Sequence, residues 1–458
     1  METVLLFILG IVIFIAGLVV SVALHELGHL TFAKIFGVKV SQYMVGFGKT
    51  IWSIKRGETE YGIKPILLGG YISMAGMFPP LKATETSDTA LGSQAASEAA
   101  LPEESRAAKT RRNLFGTLVQ DAREASATTI GDTDPKRAFY NAAPWKRLII
   151  MFAGPFMNLL IAAGIAAIMI CGFGQATPSV GTVSSCLPAT PTASCVSADA
   201  ASPASTAGLK AKDVIESVNG KTIQSPDQIT AVLQRSLGKT VHLGVLRAHK
   251  HLTIDVTPAA AERQKVDATG QLLTTSAGKP LTGTVGSIGV SLGFTLVPQN
   301  ALAIVPSVWQ ETGATYQLIG NLPSGLVGVW NSTVDHTQRS TSGPISIVGV
   351  GRAVGDVASV TGAPVSDRVY TILGLLESLN IALFVMNLLP LLPLDGGHMV
   401  GALWEMIKRG YARIAKRPRP APVDLARAMP LTVVVVSVLV IMSAFLIFAD
   451  LVNPISIT

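Results

Sequence analysis

Four stretches of this chain, residues 4–24, 147–171, 371–392 and 430–449, stay apolar over the twenty or so residues needed to cross a hydrocarbon core. Backbone that enters lipid must satisfy its own N–H and C=O groups, and segments of this length and continuity do so as helices. Composition agrees, because 14% of the 458 residues are charged and 49% are hydrophobic, against about 25% charged in an ordinary soluble domain. The chain reads as an α-helical polytopic membrane protein with four transmembrane helices held in a lipid bilayer.

The net charge of +7 raises the question of nucleic acid. Such a partner requires Lys and Arg gathered on one folded face, whereas here they follow the loops, so no nucleic-acid partner is expected. Lys408, Arg409, Arg413, Lys416, Arg417, Arg419 and Arg427 fall between the third and fourth stretches, while no Lys or Arg precedes the first stretch or follows the fourth. The positive-inside rule then puts the 401–429 loop in the cytoplasm and both termini outside. Residues 1–37 lack a basic leader and a small-residue cleavage site, so they read as an uncleaved first span rather than a secretory signal.

Between the spans the composition changes. Residues 38–78 alternate apolar and polar positions in short runs punctuated by glycines, a pattern of two small β-hairpins. Residues 79–144 form a loop rich in Ala, Ser, Thr and Glu that is too poor in large apolar residues to fold alone and is expected to be mostly disordered. Within it, 111–125 places Leu114, Phe115, Leu118 and Val119 on one helical face, for a membrane surface or for packing. After the second span, 145–172, residues 178–258 have the mixed pattern of a compact α+β module. Val214–Val218 leads into an Asn219-Gly220 turn, a helix follows over 226–237, and alternating strands run over Val241–Val245 and 252–256. Cys186 and Cys195 lie close together in this outside segment, as a disulfide or as two free thiols. No fold is assigned to 259–370. The third span is 371–400 and the fourth 430–450.

The chemistry sits at two span ends. In His25-Glu26-Leu27-Gly28-His29 the two imidazoles are one helical turn apart on the same face, the spacing that brings both to one metal ion, with Glu26 beside it. Two histidines and a chance Glu on a helix surface would give the same five letters, but ionisable groups ending an apolar span are costly unless they pair, bind metal or line a polar cavity. A hydrolytic zinc needs a third protein ligand and one open position. Asp395 is a candidate, in a segment broken by Pro390, Pro393, Gly396 and Gly397. On its own it would sooner be read as the cap of a following helix. A soluble-type metalloprotease would take the third ligand from a Glu shortly after the first motif, but Glu58 and Glu60 sit in an expected hairpin turn.

HELGH in the first span, the Asn387-x-x-Pro390 run into Leu394-Asp395-Gly396 and the wording of 202–220 together resemble the site-2 protease family, the bacterial enzymes of regulated intramembrane proteolysis, with 178–258 similar to a PDZ domain. The resemblance implies Zn²⁺ held by His25, His29 and Asp395, and Glu26 as catalytic acid/base. It also implies substrate-holding roles for Asn387 and Pro390, and a membrane-associated β-hairpin around Gly46, Phe47 and Gly48 and around Gly69-Gly70-Tyr71. The implied protein is multi-pass in a bacterial inner membrane, with an extracytoplasmic PDZ domain and the active site toward the cytoplasm. Its implied substrates are single-span membrane proteins such as anti-sigma factors, or remnant signal peptides. The alternative is a PDZ-bearing scaffold or zinc-binding protein without proteolysis. His398 reads as supporting rather than ligating, His242, His249 and His251 as exposed strand positions, and His336 as a loop residue.

Overall fold

The computed structural model describes residues 2–79, nine positions within 117–130, 135–188, 195, 200–335 apart from 224, 249, 269, 271 and 274–279, 337, 339, and 343–455 apart from 419. The chain divides into two compact units, Met1–Ala166 with Ile304–Thr458, and Ala167–Ala303.

The first unit begins with α1 (Glu2–Ile35), which carries the first apolar stretch and runs on through HELGH. Strands β1 (Val40–Phe47), β2 (Trp52–Arg56), β3 (Thr59–Ile63) and β4 (Ile66–Met74) follow in one sheet of order β2-β3-β1-β4. The expectation of two hairpins is corrected here. Only β2 and β3 form a hairpin, and it sits inside a wider antiparallel pair of β1 with β4, with β3 parallel to β1. Burial explains this arrangement. Val40 and Met74 pack against Leu30 and Ala33 of α1 and Ile150 and Met151 of the second span, so the β1–β4 pair covers a core that a consecutive hairpin would leave open. The β2 strand, by contrast, is exposed along its whole length. The second span is α2 (Pro144–Ala167), extended by a π-helical turn to Phe173. Of the expected 111–125 helix, positions 114, 115 and 118 lie outside the described residues. Ser126 and Thr129 hydrogen-bond Phe78 and Gly76, anchoring the end of the insert on the chain beyond β4.

In the second unit, β5 (Gln175–Val183), a short helix α3 (Pro203–Thr206), β6 (Val214–Val218), β7 (Lys221–Thr222), α4 (Pro226–Arg235), β8 (Val241–Arg247) and β9 (Lys250–Val256) precede a ribbon, β10 (Ala259–Gln264) with β11 (Thr282–Ser287), and then β12 (Val290–Val297). The main sheet has order β12-β5-β6-β8-β9, over a core that includes Ile215, Ile229, Leu243 and Ile288. The expected boundary at 258 is therefore too early. Val290 to Val297 pair antiparallel with Val183 to Gln175 across one bulge at Gly181, and Ile288 fills the same core. Asn219 and Gly220 both adopt positive φ, as the tight turn between β6 and β7 demands. Cys186 and Cys195 are joined in a disulfide. His242 and His251 are exposed and pair with Asp255 and Glu216; His249 and His336 lie outside the described residues.

The first unit resumes with α5 (Ile304–Gly320), α6 (Leu322–Val334) and α7 (Ile347–Ser359), three helices in the segment left without a fold. Glycines let α7 lie against α1: a Cβ at Gly10 would meet Val354 O and Ala358 Cβ at 2.8 Å. The third span, α8 (Val365–Leu388), ends in an irregular turn with a cis Leu392-Pro393 bond, and α9 (Asp395–Ile414) starts at the acidic residue. The expected basic loop from 401 is accordingly half helix. Lys408, Arg409 and Arg413 lie on α9, whose buried Glu405 pairs with Arg147 and Arg409 and accepts from Val423 N at 3.1 Å. The fourth span is α10 (Met429–Val452). Among the described residues, four helical segments, containing α1, α2, α8 and α10, are long and apolar enough to cross a membrane.

Candidate metal centre

His25 and His29 stand one turn apart near the end of α1, and their Nε2 atoms are 3.2 Å from each other. Each Nε2 is 3.3 Å from Asp395 Oδ2, which has no hydrogen-bond partner among the described residues. Three donor atoms thus form a nearly equilateral triangle. Around a tetrahedral ion with bonds of about 2.0–2.1 Å, neighbouring ligand atoms are separated by about 3.3–3.4 Å, so this triangle has the size of one face of a zinc site.

The opposite ring nitrogens set the tautomers. His29 Nδ1 donates to Ile150 O at 2.7 Å, which leaves Nε2 with its lone pair toward Asp395. His25 Nδ1 lies 3.2 Å from the side-chain amide of Asn158. The amide orientation that offers Oδ1 to Nδ1–H also satisfies an otherwise unpartnered, buried Asn158 oxygen, and it frees His25 Nε2 in the same way.

Small residues make the close packing possible. A Cβ at Gly28 would lie 2.4 Å from Ala153 O, and one at Gly154 would lie 2.1 Å from His29 Nε2, so α1 and α2 approach at glycine on both sides. Gly70 of β4 leaves room for Glu26, whose Cγ a Cβ there would meet at 2.9 Å. Gly396 would place a Cβ 2.1 Å from Leu389 O, which explains a glycine where the chain doubles back into α9. Asp395 makes no cap to its own helix, whose flanking Leu394 supplies none either. Its carboxylate is turned toward the histidines.

A cavity of about 520 Å³ opens on this cluster. Its wall includes His25, Glu26, His29, Asp395 and His398, the β4 residues Gly69 to Ile72, and Phe47, Asn158, Asn387 and Pro393. Of the residues expected to hold substrate, Phe47 and Asn387 line it, whereas Gly46, Gly48 and Pro390 do not. Gly46 and Gly48 take positive φ at the end of β1, on either side of Phe47, and at Gly46 a Cβ would also meet Lys64 O at 2.5 Å. Glu58 pairs with Arg137 and Glu60 accepts from Gln42, both away from the cavity.

The model of Peptidase family M50 matches residues 13–418. The chain belongs to peptidase family M50. Among curated relatives, zinc metalloprotease Rip1 of Mycobacterium tuberculosis is 30% identical, over 98% of this chain and 99% of its own. Rip1 of Mycolicibacterium smegmatis is 30% identical over 99% and 100%, and zinc metalloprotease RasP of Oceanobacillus iheyensis is 25% identical over 87% and 91%. This M50 protein is therefore an integral membrane zinc metalloprotease of the site-2 type, and its cofactor is zinc.

As an M50 protease the chain offers, among the described residues, one group of three side chains that could hold a metal ion, His25, His29 and Asp395. Two imidazoles and a carboxylate are the donor set of many hydrolytic zinc sites, and the orphaned Asp395 oxygen between the rings fits an ion there. Sequence reasoning passed over Asn158. Its signal was available, since a lone amide within an apolar span has to find a polar partner.

Proposed function

We propose that this M50 protease hydrolyses peptide bonds in or beside the membrane-spanning segments of other proteins, with His25, His29 and Asp395 holding zinc and Glu26 as acid/base. The observation that carries the reading is the triangle of donor atoms with Glu26 on the same cavity wall, facing a strand that, among the described residues, has a sheet partner on one side only. Bound zinc supplies Lewis acidity, which acidifies water and polarises a carbonyl. Glu26 takes a proton from the attacking water and returns it to the leaving amine, reaching both from its buried place beside the two rings.

An α-helix hides its carbonyls in its own hydrogen bonds, so the substrate segment must unwind before attack. The outer edge of β4, around Gly69 to Ile72, offers main-chain groups to an extended substrate strand, and Asn387 and Phe47 border the same cavity. Residues 178–258, continued by β12, serve as an extracytoplasmic PDZ domain, with both termini outside and the metal centre toward the cytoplasmic face of a bacterial inner membrane. Substrates are single-span proteins such as anti-sigma factors, or remnant signal peptides.

The experiment is Glu26→Gln with zinc measured alongside. Zinc retained with cleavage lost, and membrane fragments missing from the proteome of the mutant strain, is the expected result. Cleavage at the normal rate would overturn the reading. Zinc binding with no fragments changed by the substitution would instead point to a scaffold.

A further inference from the structure

Hydrolysis of a peptide bond puts negative charge on the carbonyl oxygen, and a preorganised N–H donor directed at that oxygen is worth about 10²–10³ in rate. Zinc aside, such a donor would have to come from the cavity wall. Tyr71 Oη donates to Gln42 Oε1 at 3.1 Å, and the two amides are each tied by one bond, Asn387 through one of its two N–H groups to Leu383 O at 3.0 Å and Asn158 to His25. Glu26 and Asp395, as carboxylates, accept only.

His398 is left. It follows Asp395 by three residues, in the first turn of α9, so both side chains leave the helix on one face and both line the cavity. Its Nδ1 is buried and has no partner among the described residues. An imidazole in either tautomer carries an N–H, and leaving such a polar atom buried and unpaired costs about 1–3 kcal/mol. His398 also stands apart from the group whose ligand atoms lie within 4.8 Å of one another. It is placed at the site without belonging to the metal set.

We propose that His398 is a catalytic hydrogen-bond donor to the carbonyl oxygen of the scissile peptide as charge builds on it. The inference rests on the metalloprotease reading above. It assigns a role to a residue that neither binds the metal nor carries the proton.

The test uses the full chain in detergent with three variants, His398→Phe, His398→Asn and His398→Gln, and two probes. One is a peptide phosphonamidate, whose tetrahedral oxygens imitate the charged state. The other is the parent peptide amide, whose affinity is measured in a Glu26→Gln background so that it is not turned over. In His398→Phe, zinc content and parent-peptide affinity should stay within about twofold, while phosphonamidate affinity and kcat fall together by about 10²-fold or more. One of the two amide variants, whose N–H stands in for Nδ1 or Nε2, should recover at least tenfold of that loss. Phosphonamidate affinity unchanged in His398→Phe overturns the proposal. Amide variants both as poor as Phe would make the role one of shape, and zinc lost in all three variants would make it one of metal binding; each overturns the proposal too. Failure of the underlying reading has a different signature, normal cleavage by Glu26→Gln with His398 intact.

Discussion

Gly154 of α2 lies against the ring of His29 so closely that a Cβ would fall 2.1 Å from Nε2, the atom that faces Asp395. No real side chain tolerates that distance, so the ring would have to turn and Nε2 would leave the triangle. Gly154→Ala should therefore lower zinc affinity by about 10–100-fold, the range seen when support of a ligand is lost. Competition with a metallochromic chelator measures it, and affinity equal to the parent protein would show that the ring is free to move elsewhere.

Removing a donor atom should act more severely. His25→Ala or His29→Ala should take bound zinc from about one per chain to background, because two remaining ligands do not make a tetrahedral site. Metal analysis of purified protein decides the matter. Full zinc in the double variant is incompatible with the centre described.

Asp395→Asn separates a ligand from a helix cap. Asn caps a helix as well as Asp, within a few tenths of a kcal/mol, but it lacks the anionic charge that helps hold a dication. Zinc and cleavage should both fall sharply while expression and membrane insertion persist. Near-normal cleavage would remove Asp395 from the set.

Orientation is tested by reporter fusions. One near residue 415, within the basic segment, should read cytoplasmic, and one near residue 230, on α4, should read extracytoplasmic. The opposite pattern would invert the orientation, and the same side for both would require a different number of crossings.

In the second unit, Asp213 is buried, with a side chain only 2% exposed, and pairs with Arg247. Burial pushes its carboxyl up, but hydrogen bonds from Arg247 and from the Lys210 amide outweigh this and hold it below the usual carboxylate range. A depressed folded value means that the contribution to stability is present above the unfolded value of about 3.9 and is lost as pH falls through the folded one. Arg247→Met should cost about 1.5–3 kcal/mol at neutral pH, and much less in acid, where Asp213 is protonated. Thermal unfolding of the two proteins at pH 7 and at acid pH measures the difference; an equal gap at both would show that packing of the Arg stem, rather than charge, is what was removed.

The sequence by itself determined the features that depend on local period and composition. Four apolar stretches dictated four helices, because lipid leaves the backbone no other solution. The i, i+4 spacing in HELGH dictated that His25 and His29 share a face, and Asn219-Gly220 dictated a turn. Tertiary structure decided what depends on residues far apart in the chain. Whether Asp395 caps a helix or meets the histidines is a contact across some 370 positions, and both outcomes use the same local residues. The pairing of β1 with β4 rather than with its neighbour followed from burial against α1 and α2, and the membership of β12 in the second unit's sheet from an eight-residue register with β5. The glycines make the contrast plainest. Gly154 and Gly70 look in the sequence like any small residue of an apolar run or a strand, and only the approach of His29 and Glu26 reveals that no other residue fits there, since steric exclusion is a property of two packed surfaces and is not written in either one alone.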